Sequence, residues 1–314
     1  IVGTPLRRDS GLHNALVVLD GGRVVTERYK IDLPNYGEFD EKRVFQPGPE
    51  MPGPGNFRGV RLGLPICEDI WGDLGVCETL SESGAEILLV ANGSPYYRGK
   101  VDIRQQVVVR QVVESGLPIV YANQIGGQDE LVFDGASFAI QSDRTLAFQM
   151  PRFAAALAVT EWRRGRDGWR CTAGPVAALP EREEADYSAC MLGLRDYVDK
   201  NGFPGIVLGM SGGIDSALSA AVAVDALGAE RVLPVVMPSP YTSRESIEDA
   251  EETARRLAAK PAAALLAGKA LLKAPLQAQL HNTIDREIEV FRQALAGDEA
   301  RARIAALLAR IGER

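Results

Sequence analysis

The chain has 314 residues, 46% of them hydrophobic and 25% charged, with a formal net charge of −7. That composition belongs to a globular protein of about two domains, and the acidic balance speaks against a nucleic-acid partner. Four cysteines (Cys67, Cys77, Cys171, Cys190) form no CxxC pair and are joined by only two histidines, His13 and His281, so neither a structural zinc site nor a disulfide framework is expected. The thiols read as reduced and the setting as cytoplasmic. No apolar run reaches the roughly 18 residues of a membrane span, and no secretory signal opens the chain, so no membrane partner is expected. The chain does not begin with Met and opens within an apparently structured stretch, which reads as an internal piece of a longer protein.

In chain order, residues 15–30 read as a hairpin, with strands at 15–19 and 23–29 around the turn Asp20-Gly21-Gly22. Residues 44–59 are rich in Pro and Gly and read as loop. A short apolar strand at 60–66 precedes Cys67-Glu68-Asp69. Then come a helix at 74–82, a buried strand at 85–90, a helix at 102–114, a strand at 118–123 and a strand pair at 136–141 and 146–149. Strands and helices alternate but hairpins intervene, which predicts a mixed sheet. The basic stretch 161–170 (EWRRGRDGWR) reads as an exposed hairpin with a Gly turn. Residues 172–188 carry Pro, Ala and charge without apolar periodicity and read as a linker. Beyond it lie a helix at 189–200 capped by Asn201-Gly202, a strand at 205–210, a Gly-rich turn at 211–215, a helix at 216–227, a strand at 232–237 and a helix at 243–259. This is the opening of a doubly wound parallel sheet. Residues 261–314 are rich in Ala, Leu, Lys, Glu and Arg and predict one or two helices over 282–311.

Two constellations carry chemistry. Cys67 follows an apolar strand in LGLPICEDIW, and a thiol at a strand end facing backbone amides can be activated as a thiolate. Taken alone, a buried structural cysteine is the plainer reading. Lys30 ends a strand in YKIDLPNYGEFDE, where an ammonium can hold an oxyanion and lower a thiol pKa; alone, it reads as a solvated surface amine. In GIVLGMSGGIDSALSAA (205–221), Gly212 and Gly213 let backbone amides approach an anion, and the following helix aims its N-terminus at the same point. Ser211 and Ser216 add hydroxyls, and Asp215 can hold a divalent cation that bridges phosphates. The Gly-Lys-Ser/Thr of a Walker A loop is absent.

The strings GTPLRR (3–8), LPNYGEFDE after Lys30, LPICEDIW (64–71), NGSPYYRGK (92–100) and YANQIGGQDELVFDGASF (121–138) stand in one order. Over residues 1–160 they resemble the nitrilase superfamily, and within it the glutaminase domain of the glutamine-dependent NAD synthetase family. The resemblance implies a Glu–Lys–Cys catalytic set in which Cys67 attacks the side-chain amide of glutamine and releases ammonia, while Lys30 stabilises the oxyanion. Tyr36, Ser94 and Lys100 match family positions that hold the glutamine, and Glu68 and Trp71 line the same pocket. Lys100 and Glu68 supply the cation and the carboxylate that an α-amino acid requires. The family's glutamate base precedes the GTP string and lies outside this sequence, so the chain as given is expected to lack efficient glutaminase activity. Glu41 resembles a supporting carboxylate of related amidases.

SGGIDS resembles the pyrophosphate-binding loop of ATP pyrophosphatases. LGLRDYVDKNGF before it and VDALGAERVLPVVMPSPYTS after it resemble the NAD synthetase family over residues 187–258. The implied ATP site is Gly209, Met210, Ser211, Gly212, Gly213, Ile214, Asp215 and Ser216, with Mg2+ at Asp215. The implied reaction is ATP-dependent amidation of deamido-NAD to NAD, with ammonia drawn from glutamine. The fold class is then α/β: a nitrilase-like α-β-β-α sandwich, N-terminally truncated, over 1–171, followed after the 172–188 linker by an incomplete Rossmann-like ATP-pyrophosphatase domain over 189–260. Residues 261–314 form an unmatched helical tail. Resemblance also implies a homo-oligomer. The alternatives are a carbon–nitrogen hydrolase with a nucleotide-sensing half, and an inactive remnant.

Overall fold

The computed structural model describes residues 1–48, 51–180 and 182–259, and the chain divides after Gly202 into two compact units. In the first, β1 (Val2–Arg8), β2 (Gly11–Asp20) and β3 (Arg23–Tyr29) form an antiparallel meander. The hairpin is therefore joined by a further strand, which the sequence pattern left unread. Gly21 and Gly22 both take positive φ (55° and 75°), the conformation a two-residue turn between twisted strands requires.

A six-stranded mixed sheet follows. Its elements are β4 (Gly55–Phe57), β5 (Val60–Gly63), α1 (Val76–Glu82), β6 (Ile87–Asn92), α2 (Lys100–Ser115) and β7 (Ile119–Asn123). Next come a separate hairpin of β8 (Ile125–Gln128) and β9 (Leu131–Asp134), and then β10 (Phe138–Ile140) and β11 (Leu146–Gln149). The strand order is β11-β10-β7-β6-β5-β4, with β5, β6 and β7 parallel and the flanking pairs antiparallel. On one face, Val76, Leu80, Val108 and Val112 from the helices bury Leu88, Val90, Ile119 and Phe138. On the other, Leu16 and Val18 of the meander pack on Leu62, Leu64, Ile66 and Ile87. The described residues thus form helix, sheet and sheet layers, in keeping with the expected mixed α/β class.

One reading is sharpened and two are revised. The basic stretch forms the hairpin β12 (Glu161–Gly165) and β13 (Gly168–Ala173), but it does not stand free. Trp162 and Trp169 pack on the core beside Leu62 and Ile66, and Arg164 pairs with Glu86. The loop at 44–59 contains the edge strand β4. The helix read at 189–200 is α3 (Arg182–Lys200) and begins inside the stretch read as linker. Its buried stripe of Ala185, Ala189 and Leu192 is marked by small residues, which weakens the apolar signal. α3 docks on the β8–β9 hairpin, where Asp196 accepts the Gly127 N–H at 2.8 Å and Lys200 Nζ donates to the Gly127 carbonyl at 2.5 Å.

The second unit holds β14 (Ile206–Met210) parallel to β15 (Val232–Val236), with α4 (Ile214–Leu227) and α5 (Arg244–Ala258). This is the strand–helix–strand–helix order read from the sequence, closed on a small core that includes Met210, Ala220 and Ala250. The helices read over 282–311 lie outside the described residues. Among the described residues no helix is long and apolar enough to cross a membrane.

Leu16, 1% exposed, joins the two sheets of the first unit. Leu16→Ala is expected to destabilise that unit by about 2–5 kcal/mol, through lost transfer energy plus a cavity, read as a lower urea midpoint.

Candidate active site

Lys30 sits where β3 ends, and backbone pairing fixes it on both sides: its N–H donates to the Asn14 carbonyl and its carbonyl accepts from Gly48, each at 2.8 Å. The side chain is 1% exposed, not the solvated amine of the plainer reading. Its Nζ donates to Glu41 Oε1 at 2.6 Å, and Glu41 Oε2 also accepts from Asn14 Nδ2 at 3.3 Å. Burying an ammonium is tolerable only with such a partner.

Cys67 follows Ile66, which bridges to Ala91 beside the end of β6. It opens a short 3-10 turn (Cys67–Ile70) at φ 45°. A non-glycine residue in that left-handed region stores about 1–3 kcal/mol of strain, held by its surroundings. Burial is the largest influence on the thiol and pushes its pKa up. The Lys30 charge and the nearby Gly93 N–H pull it back, while Glu68 and Glu41 push upward. The resting group at neutral pH is therefore a protonated thiol, poised between two features that stabilise its anion.

Asp69 joins the two halves of this arrangement. Its Oδ1 accepts the N–H of Ile31 (3.0 Å) and of Asp32 (2.9 Å), and its Oδ2 accepts that of Ile66 (2.9 Å). Burial raises the carboxyl pKa to about 6 against the three N–H donors and the Lys30 charge, all of which lower it. Sequence reasoning passed over Asp69; its one signal is a carboxylate two residues beyond the thiol.

The other residues singled out from the sequence group around this turn. Tyr36 is exposed over most of its surface but donates its hydroxyl to Glu68 Oε1 at 2.7 Å, and partial desolvation of the phenol at that end, followed by Glu68, raises its pKa. The Trp71 N–H donates to the Glu68 carbonyl at 2.8 Å. The Lys100 ammonium lies 4.6 Å from the Trp71 ring centre and 4.5 Å from that of Tyr97, whose hydroxyl it reaches at 3.2 Å. Ser94 is buried beside Gly93, and its N–H donates to Asn123 Oδ1 at 3.0 Å. A lysine over two aromatic faces and a carboxylate bonded to a phenol are the kinds of charge that an amino-acid zwitterion requires.

In the second unit, the turn between β14 and α4 holds itself in shape. Ser216 Oγ accepts the Ser211 N–H (3.3 Å) and donates to the Gly213 carbonyl (2.9 Å), and Ser211 Oγ accepts the Gly213 N–H (3.2 Å). Gly212 is at φ 82°, and a Cβ there would collide with the Ser246 carbonyl of α5. Gly209 and buried Met210 end the strand, while exposed Ile214 and Asp215 open the helix. The first helical amides face outward at the positive end of the dipole, a setting suited to an anion. Among the described residues no group of three His, Cys, Asp or Glu side chains is arranged to hold a metal ion.

Residues 1–166 match the family model described as carbon–nitrogen hydrolase, and residues 187–310 the one described as NAD synthase. The second match runs past residue 260, into the stretch where the sequence offered no family pattern. The glutamine-dependent NAD(+) synthetase of Rhodobacter capsulatus is 47% identical over 259 residues, which cover 82% of this chain and 47% of that protein. Its counterpart from Acinetobacter baylyi is 42% identical over 78% of this chain and 44% of its own length. The glutamine-dependent NAD+ synthetase of Acinetobacter baumannii, solved in complex with adenosine diphosphate, superposes with a TM-score of 0.74 at 42% identity, covering 81% of this chain and 48% of that one. The chain spans about half the length of these relatives.

Iodoacetamide alkylation of Cys67 is expected to accelerate only on the alkaline side. In Lys30→Met the midpoint should move further up, because the charge that pulls the thiol down is gone; an unchanged or lower midpoint would contradict the arrangement. Asp69→Asn places an amide donor against a backbone N–H and is expected to cost about 1–3 kcal/mol, read by urea unfolding of the first unit.

Proposed function

This chain belongs to the carbon–nitrogen hydrolase family, whose model spans its residues 1–166, and we propose that it is part of an enzyme that amidates deamido-NAD to NAD at the expense of ATP and glutamine. The observation that carries the reading is the union, in one chain, of a thiol–lysine site with a phosphate-type turn, in the order found in relatives that are 42–47% identical.

At the first site, Cys67 Sγ attacks the side-chain carbonyl carbon of glutamine. The thiol proton is passed to the amide nitrogen, the C–N bond breaks, ammonia leaves, and a thioester remains for water to hydrolyse to glutamate and free thiol. Lys30 keeps one donor on Glu41 and offers its others to the oxyanion as charge develops there. The left-handed backbone at Cys67 fixes where the sulfur sits, and the Gly93 N–H beside it favours its anionic form. Glu68 with Tyr36 takes the ammonium end of the substrate, while Lys100 and Ser94 take the carboxylate end, with Trp71 as the apolar wall.

At the second site, the carboxylate of deamido-NAD attacks the α-phosphorus of ATP, pyrophosphate leaves, and ammonia displaces AMP from the adenylate. The turn from Gly209 to Ser216 cradles the departing phosphates through backbone amides and the hydroxyls of Ser211 and Ser216. Asp215 is the carboxylate suited to Mg2+, whose contribution when bound is to neutralise phosphate charge. Four cysteines free of disulfides support a reducing, cytoplasmic setting, and the family resemblance supports a homo-oligomer.

In the protein extended to the length of its relatives, Cys67→Ala should abolish NAD formation from glutamine while sparing formation from free ammonia. Glutamine-dependent synthesis that survives the substitution would sink the assignment.

A further inference from the structure

Behind the thiol lies a buried charge cluster that the reaction scheme does not use. Arg104, on the second turn of α2, is 1% exposed, yet every part of its guanidinium is engaged. Nη1 donates to Asp134 Oδ1 at 2.7 Å, Nη2 to the carbonyls of Ser94 (2.6 Å) and Pro95 (3.1 Å), and Nε to Ser94 Oγ at 3.1 Å. Asp134, fully buried, is shared with Arg152, whose Nε reaches Oδ2 at 2.9 Å. Two guanidiniums on one carboxylate leave a net positive charge in the interior, an expensive arrangement that packing alone does not require.

Ser94 is the point at which this cluster meets the site. Asn123 grips its backbone from the other side, accepting its N–H at 3.0 Å and donating to its carbonyl at 3.2 Å. A guanidinium has donors only, so Ser94 Oγ must accept from Arg104, and its own hydrogen is turned away from Arg104. Next to it lies the fully buried Tyr121 hydroxyl, which has no hydrogen bond of normal geometry; the Ser94 hydroxyl acts on this phenol as a nearby donor, and Cys67 also lies close enough to shift it. A hydroxyl oriented by a cation, with only a poorly aligned phenol oxygen noted beside its proton, suits a better acceptor that arrives with a ligand.

We propose that Arg104 is a positioning residue for substrate recognition, fixing Ser94 as a hydrogen donor to a carboxylate oxygen of the amino-acid substrate. The polarity follows from the contacts: the guanidinium occupies a lone pair of Ser94 Oγ, and the net positive charge behind it favours an anionic acceptor over an ammonium. This rests on the reading that the thiol site takes glutamine.

The test is protection of Cys67 from iodoacetamide by glutamine, followed by mass spectrometry in wild type, Ser94→Ala, Arg104→Met, Arg104→Lys and the Ser94→Ala/Arg104→Lys double variant. Wild type should show saturable protection. Ser94→Ala and either Arg104 variant should each raise the half-protecting glutamine concentration about tenfold, the worth of one charge-assisted contact. The double variant should be no worse than its worse parent, because both changes remove the same contact. The pH midpoint of alkylation without glutamine, set by the thiol and Lys30, should hold in both Arg104 variants, whereas general loosening of the site would move it. Arg104→Lys keeps a charge for Asp134 and carries the test if Arg104→Met does not fold. Unchanged protection in a folded Arg104 variant, or additive losses in the double variant, overturn the proposal. No protection of the wild type overturns the glutamine reading itself, and this inference with it.

Discussion

Three backbone N–H groups converge on the carboxylate of Asp69, and the geometry of the thiol site depends on them. Ile31 and Asp32 come from the segment that leaves the meander, and Ile66 from the strand end that presents Cys67. Lys30 and Cys67 therefore belong to different sheets, yet they are tied through one side chain buried between them. A carboxylate that accepts three such bonds in a low-dielectric interior is costly to disturb, since any lost partner is left unsatisfied. That cost keeps the ammonium near the sulfur and sustains the left-handed backbone at Cys67.

The same device, a buried charge used as a fixed point, appears twice more in the first unit. Glu41 holds the Lys30 ammonium in place, and the Arg104–Asp134–Arg152 cluster holds the loop of Ser94. Hydrophobic residues of similar volume commonly serve stability as well or better. What the charges add is direction: a guanidinium or carboxylate fixes which atoms donate and which accept, and a recognition site needs that information.

The two units build their sites differently. The phosphate-type turn is contiguous, its serines and glycines bonding to one another within six residues, and α5 constrains it from farther along the chain by its close approach to Gly212. The thiol site is assembled from segments separated by tens of residues. Docking of α3 is likewise non-local, resting on Gly127, with which it packs backbone to backbone through Gly193.

These differences explain what was legible. The sequence by itself determined the mixed α/β class, the strand–turn–helix of the second unit and the Gly21-Gly22 hairpin, because periodicity, turn chemistry and the SGGIDS string act over short ranges. It also picked out Lys30, Cys67 and their neighbours as strings in a family order. Only the tertiary structure decided that Lys30 is buried on Glu41, that Asp69 binds the two halves together, that Arg104 reaches Ser94, and that residues 182–188 are helical. In each case the deciding partner lies far along the chain: Asp69 is 38 residues from Ile31 and Asp134 is 30 from Arg104. A carboxylate or guanidinium in a sequence carries no mark of whether it faces water or a buried partner, so its role appears only once the chain has closed around it.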